Sequence, residues 1–174
     1  TKSIFLVTNG QEPDMIQKLQ DEDALPTQLY LSTNAADYES FIKINKPKYD
    51  DSWERWNRTL DMLKNLDTRT VLRITLIRDY NDQKEMIPAF ADMFRKASPH
   101  FIEIKSYMHI GRSTNRLEHE NMLEMHEVKK FSEQIAKQSK IFSVMDESLV
   151  SRISILQNNE RFIDRYIPTY ANTN

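Results

Sequence analysis

With 174 residues, 29% of them charged, and a net charge of −2, the chain is long enough for one domain with a real core. It is too evenly charged to act as a whole-surface electrostatic binder of nucleic acid. It contains no cysteine, which removes disulfides, thiolate metal sites, iron–sulfur ligation and a thiol nucleophile from anything the chain does by itself. No apolar run nears the roughly 18 residues of a membrane span and no signal peptide opens the sequence, so the reading is of a soluble, cytoplasmic protein.

Residues 4–8 (IFLVT) predict a first strand, and 13–20 a short helix with Pro13 early, where its missing N–H costs little. A second strand is expected over 28–32 (QLYLS), after Pro26, and a helical segment over 36–45 with Tyr38, Phe41 and Ile42 on one face. The clearest helix is 51–66, where Trp53, Trp56, Leu60, Leu63 and Leu66 recur at three and four. Residues 70–77 (TVLRITLI) predict a third strand, and 82–96 a helical stretch that kinks or restarts at Pro88. A fourth strand follows over 101–105 (FIEIK), then a long helix over 121–139 with Met125, Val128, Phe131 and Ile135 as its stripe. Segments 141–145 and 150–156 read as a closing antiparallel pair, followed by a frayed tail.

Strands separated by helices imply right-handed βα repeats and a parallel sheet buried on both faces. Ligands of such sheets sit at the carboxyl ends of the strands. Gly10 and Gly111 follow the first and fourth strands, and together they read as a binding rim, against the plainer reading of two tight turns. A first strand with nothing before it would leave an open hydrophobic edge. The expectation is the carboxyl-terminal portion of a larger barrel: residues 1–157 as the barrel part, 158–174 as a tail.

Period two aims Phe101, Glu103 and Lys105 to one side of the fourth strand and Ile102 and Ile104 to the other. Unpaired burial of a charge costs several kcal/mol, so Glu103 and Lys105 are expected to form a couple or part of a site. Arg73 and Thr75 share a face of the third strand. Arg73 suits a carboxylate held through two parallel hydrogen bonds, or a bridge to Glu103. Lys105, if desolvated to a lowered pKa, suits Schiff-base chemistry, or it anchors a carboxylate. The first two strands end in Thr8, Asn9 and Gln11, and in Ser32 and Asn34. Lys43, Lys46 and Lys48 around Pro47, and Arg112 and Arg116, are phosphate contacts or a solvated surface. His100, His109, His119 and His126 lack ligand spacing, so no metal site is predicted.

Six blocks in order carry a family resemblance: TNGQ at 8–11, TQLYLS at 27–32, KINKPKYDDSWERW at 43–56, RTVLRITLIR at 69–78, FIEIKSYMHIGRSTNRL at 101–117 and NMLEMHEV at 121–128. Over residues 3–157 the chain resembles the radical S-adenosylmethionine synthases of the wybutosine pathway, which make 4-demethylwyosine in phenylalanine tRNA, and it looks closest to their archaeal form. The resemblance implies an α/β fold, the carboxyl-terminal portion of a partial (β/α)6 barrel: about four parallel strands with helices, plus a terminal β-hairpin. It implies S-adenosylmethionine and a 4Fe–4S cluster at the strand ends, and condensation of pyruvate with an N1-methylated guanosine through a cofactor-derived radical. Asn34 departs from the family's usual Asp and Leu123 from its usual Pro, and the family's CxxxCxxC ligands lie upstream of the matched part.

Carried over by position, Asn9, Ser32, Asn34, Arg73 and Thr75 are expected to bind S-adenosylmethionine. Glu103 and Lys105 face the reaction, with Lys105 the candidate for pyruvate, and Arg112 and Arg116 reach the tRNA. The partners implied are tRNA-Phe, pyruvate and the amino-terminal half of the barrel. The chain alone, without cluster ligands, is expected to be inactive. Two other readings stand beside this one: a metal-free, aldolase-like Schiff-base barrel enzyme, and a non-catalytic half-barrel that binds RNA or a partner chain.

Overall fold

The computed structural model describes residues 3–167, and they form a six-stranded sheet with helices packed on it. Strands β1 (Phe5–Thr8), β2 (Gln28–Thr33), β3 (Arg69–Leu76) and β4 (Phe101–Ser106) lie side by side and parallel. Helix α1 (Pro13–Asp21) joins the first two, α2 (Tyr38–Asn45) and α3 (Ser52–Met62) the next, and α4 (Ile87–Ala97) the last. After α5 (Met125–Ser139), β5 (Phe142–Ser148) and β6 (Ile153–Asn158) form an antiparallel hairpin whose second strand pairs with β4.

Local chemistry explains the helix ends. Asp37 caps α2 by accepting the Ser40 N–H at 2.9 Å. Pro88 sits in the first turn of α4, a restart rather than a kink. The expected helix over 121–139 starts only at Met125. Glu124 and Glu127 form a reciprocal capping box there, and the residues before it make a separate 3₁₀ turn (His119–Asn121). The end of the long helix over 51–66 tightens into a 3₁₀ turn (Leu63–Asn65), which tucks Leu63 and Leu66 into the core.

Each new parallel strand is added on the same side of its predecessor. Right-handed crossovers then stack every helix on one face of the sheet. That face carries Leu29, Leu31, Leu72, Ile74, Leu76, Ile102 and Ile104, packed against Ile16, Trp56, Leu60, Phe90, Phe94, Val128, Phe131 and Ile135. The expected burial of both faces therefore fails. The opposite face has no helix over it and keeps Tyr30, Ser32, Arg73, Thr75, Glu103 and Lys105 only half-buried. At the edge, β1 exposes Phe5 to 55% and Val7 to 52%, the open apolar margin that the sequence predicts.

The tail does not fray through residue 167. Arg69 donates from Nη1 to the Asp164 carbonyl at 2.7 Å and from Nη2 to the Arg165 carbonyl at 2.9 Å. Gln157 donates to the Ile163 carbonyl at 2.8 Å, and Arg165 pairs with Asp146. The segment roofs the amino-terminal end of the helix-free face, where Val71 and Phe101 are buried. The rest of the expected tail, 168–174, lies outside the described residues.

His100 locks the start of β4 to β3. Its Nδ1 accepts the Thr70 backbone N–H at 3.1 Å, which requires the neutral ring. Burial first, then the charges of Arg161 and Arg69, push its pKa down to about 4. In the unfolded chain the ring titrates near 6.5. The stabilising contribution is therefore complete above pH 6.5 and lost as pH falls toward 4. Urea midpoints should drop across that window by the equivalent of about 1–2 kcal/mol, the per-unit conversion being reduced for partial solvent screening. The drop should flatten in His100→Gln.

Candidate functional site

The strand register aligns the polar residues of the helix-free face. Ser32, Arg73, Glu103 and Ile155 make one row; Thr75, Lys105 and Ile153 make the next row toward the carboxyl ends of the parallel strands. Glu103 pairs with Arg73 directly across the strands, and Lys105 is no party to the couple. Arg73 Nε donates to Glu103 Oε1 at 2.7 Å and Nη2 to Oε2 at 3.5 Å, with the two side chains 27% and 12% exposed. Beneath the guanidinium lies the Tyr30 ring, 4.4 Å from its centroid. Gln28 Nε2 donates to the Tyr30 hydroxyl at 2.6 Å, while burial and the nearby Glu103 carboxylate raise the phenol's pKa.

Arg73 is thus held along one edge and from below, and its Nη1 has no hydrogen-bond partner among the described residues. Lys105 stands one row nearer the strand ends on the neighbouring strand, diagonal to Arg73. Its Nζ makes no hydrogen bond or ion pair among the described residues. A fixed guanidinium edge beside an unpaired amine suits a small molecule with a carboxylate at one end and an electrophilic carbon at the other.

Beside this row, at the carboxyl ends of β1 and β2, opens a polar cleft of about 420 Å³. The structure brings Asn9, Ser32 and Asn34 together there, with Gln11, Phe41, Asn45 and residues 46–49. Arg73 and Thr75 stand outside its lining. Gln11 Nε2 donates to the Ser52 carbonyl at 3.1 Å, which leaves Gln11 Oε1 buried with no donor to meet it. Asn34 braces the cleft: Oδ1 accepts the Thr75 backbone N–H at 3.2 Å and Nδ2 donates to Asn45 Oδ1 at 3.3 Å.

Gly10 has another job than the expected approach to a ligand. Its φ is +76°, and a Cβ would stand 2.8 Å from Leu31 Cδ1 and 3.0 Å from Trp56 Cδ1, so the glycine lets the β1 loop pack on α3. Gly111 also has a positive φ, but nothing lies within 4 Å of its Cβ position. Arg112 and Arg116 stand exposed on the loop after β4 and line neither the cleft nor the charged row.

Two struts around the site carry no sequence signature. Arg78, just past β3, grips Glu127 of α5 with two 2.6 Å bonds and donates to the Glu120 and Met122 carbonyls, so it ties the β4–α5 loop to the sheet. Arg78 holds the Glu127 carboxyl below its usual range. The fully buried Asn81 donates from Nδ2 to the Asn34 and Thr75 carbonyls and accepts the Ile77 N–H, joining the ends of β2 and β3. Each reaches at least one partner more than forty residues away, Arg78 to Glu127 and Asn81 to Asn34, which period and motif do not reveal.

Among the described residues no group of three or more His, Asp and Glu comes together as a metal would require. No helix among them is long and apolar enough to cross a membrane. Comparison with known proteins gives the class first. The chain shares its fold with part of coproporphyrinogen III oxidase (HemN) from Escherichia coli, described as a radical SAM enzyme: the two overlay with a TM-score of 0.53 at 12% identity, covering 90% of this chain and 35% of that one. Residues 96–158 match the family model for wyosine base formation. The S-adenosyl-L-methionine-dependent tRNA 4-demethylwyosine synthase of Methanocaldococcus jannaschii is 41% identical over 162 residues, 92% of this chain and 48% of the relative. A solved TYW1 with a bound lysine–pyruvate adduct overlays with a TM-score of 0.79 at 40% identity, covering 91% of this chain and 48% of that one.

The chain is a relative of the tRNA 4-demethylwyosine synthases and matches their carboxyl-terminal part, as the sequence blocks indicate. It spans about half the length of the archaeal relatives it matches and 24% of the Oryza sativa one.

Proposed function

We propose that this chain forms the cofactor- and pyruvate-facing wall of a tRNA-modifying enzyme that condenses pyruvate with N1-methylguanosine of tRNA-Phe to give 4-demethylwyosine. The observation that carries the reading is the juxtaposition on one helix-free face: the Arg73–Glu103 couple, an unpaired Lys105 amine diagonal to it, and the polar cleft alongside. A solved TYW1 holds pyruvate on a lysine, and Lys105 is the lysine this chain presents on the face at the strand ends. Pyruvate would set its carboxylate on the free Nη1 side of Arg73. The Lys105 amine would add to the ketone carbon and expel water, giving an imine. Glu103 and Tyr30 would keep the guanidinium in place for that carboxylate.

S-Adenosylmethionine fits the neighbouring cleft. The orphaned acceptor Gln11 Oε1 wants an N–H donor such as an adenine amino group. Asn9, Ser32 and Asn34 supply polar contacts for a ribose, and Phe41 an apolar wall. Arg73 and Thr75, outside the cleft's lining, would stand one strand away from this cofactor on β3. When bound, that cofactor would supply the radical chemistry. A 4Fe–4S cluster does not fit this chain, which has no cysteine to ligate it. Its ligands, and a strand to cover the exposed apolar edge of β1, would come from the amino-terminal half of the barrel. Arg112 and Arg116 would reach tRNA phosphates, and the chain alone would not turn over.

The test needs no turnover. Incubating the chain with pyruvate and borohydride should reduce the imine to a stable secondary amine, seen as one added lactyl-type mass by intact mass spectrometry. An unmodified chain at saturating pyruvate would remove the case for this site.

A further inference from the structure

Residues 45–50 wall off the cleft from a shallower groove on the outside, and the reading above gives them no role. The chain leaves α2 through Lys46 in the left-handed conformation (φ 46°) and passes Pro47 and Lys48 to Tyr49. Lys46, Pro47, Lys48 and Tyr49 line the cleft and the outer groove alike. Tyr49 is 49% exposed, yet it is braced. The Arg55 guanidinium lies over its ring at 4.8 Å. Arg55 is itself fixed by Asp51, through Nε at 2.8 and 2.9 Å, and by the Gln11 carbonyl at 3.2 Å. The bond to Asp51 holds that carboxyl down and the guanidinium up, so both stay charged.

A surface tyrosine ordinarily gives up rotamer freedom when it binds something. Here the Arg55 contact already restrains the ring, so less of that loss remains to be met, and the residue stays about half exposed. Lys46 and Lys48 precede it on the same lip, exposed and without an ion pair or hydrogen bond among the described residues, while the acidic Asp50 follows it on the outer groove. A braced aromatic face beside two free cations, at the lip of a polar cleft, is a combination that takes unpaired nucleotides. The ring stacks a base and the cations meet adjoining phosphates. An acidic peptide would engage the lysines but gain nothing from the braced ring.

We infer that Tyr49, backed by Arg55, is a stacking platform for one unpaired nucleobase of the RNA substrate, with Lys46 and Lys48 on the adjoining phosphates. The assignment rests on the tRNA reading above and adds to it a subsite on the β2 side of the mouth, opposite Arg112 and Arg116 in the order of strands.

Fluorescence anisotropy with a synthetic anticodon stem–loop, and with the same strand closed into a duplex, tests it. The chain should prefer the loop. Tyr49→Ala should weaken loop binding about ten- to a hundredfold, the usual cost of losing one stacked base, with thermal melting unchanged. Tyr49→Phe should bind like the parent and Tyr49→Leu like the alanine variant, because leucine keeps apolar bulk without a π face. Lys46→Gln with Lys48→Gln should flatten the plot of log affinity against log salt by roughly 0.7 per lysine. Full-strength loop binding by Tyr49→Ala, or equal binding of loop and duplex, overturns the platform. Those results leave pyruvate capture at Lys105 standing. Absence of any RNA binding by the parent chain overturns the platform and the tRNA reading together, again independently of the pyruvate adduct.

Discussion

Lys105→Ala should reduce 4-demethylwyosine formation to background when this chain works with a cluster-bearing amino-terminal half, while S-adenosylmethionine is still bound and consumed. Lys105 is the one amine in the charged row, and no neighbouring side chain on β3 or β6 replaces it: Thr75 and Ile153 stand opposite it. Removing the amine removes imine formation outright rather than weakening it, so a loss of at least about 10³-fold is expected for a deleted covalent step. Lys105→Arg sharpens the test, since it keeps the charge but does not form the imine. Product and cofactor cleavage, followed by chromatography in the same reaction, should separate cleanly. Fold should hardly change, because Lys105 is only half-buried and ties nothing down.

Trp56→Ala should be the most damaging single change to the fold. The indole is 1% exposed and wedged between α2, β2 and the β1 loop. It stacks on Trp53 at 5.4 Å, meets Phe41 at 5.9 Å, and donates from Nε1 to the Ser32 carbonyl at 3.3 Å. Truncation deletes that packing and leaves a cavity, for a cost of about 3–5 kcal/mol. Ser32 and Phe41 both line the cleft, so the same variant should also weaken S-adenosylmethionine binding. Urea unfolding followed by circular dichroism measures the first effect, and calorimetric titration of the cofactor the second.

Much of this was legible in the residues. The period-two runs locate the four parallel strands to within a residue at each end, because parallel strands with one fully apolar face leave an alternating record of Leu72, Ile74 and Leu76 against Arg73 and Thr75. The hairpin of β5 and β6 was visible as well. What escaped was set by topology. Whether a sheet has helices on one face or both depends on the direction in which strands are added, and no local pattern encodes that. So the charges of β3 and β4 read as buried when they are half-open.

The Arg73–Glu103 bridge is one of the two readings the sequence offers for Arg73, and the structure makes it; Lys105, the other partner considered for Glu103, stays out of the couple. Arg78 and Asn81 carry no local pattern that names Glu127 or Asn34 as partners. Gly10 showed the opposite error: a positive φ was implicit in its turn, but the close approach serves Leu31 and Trp56. The tail read as unstructured because its anchors are its own carbonyls, which any sequence supplies, and the selectivity lies in Arg69 and Gln157.

The central claim is that one amine on the helix-free face, beside a locked guanidinium, receives a keto acid. Borohydride trapping with pyruvate, followed by proteolysis and tandem mass spectrometry, tests it at the level of a single residue. The account predicts the reduced adduct on the peptide containing Lys105, lost in Lys105→Ala and diminished in Arg73→Leu. An adduct mapped to Lys43, Lys46, Lys48 or any other lysine, with Lys105 unmodified, would contradict it.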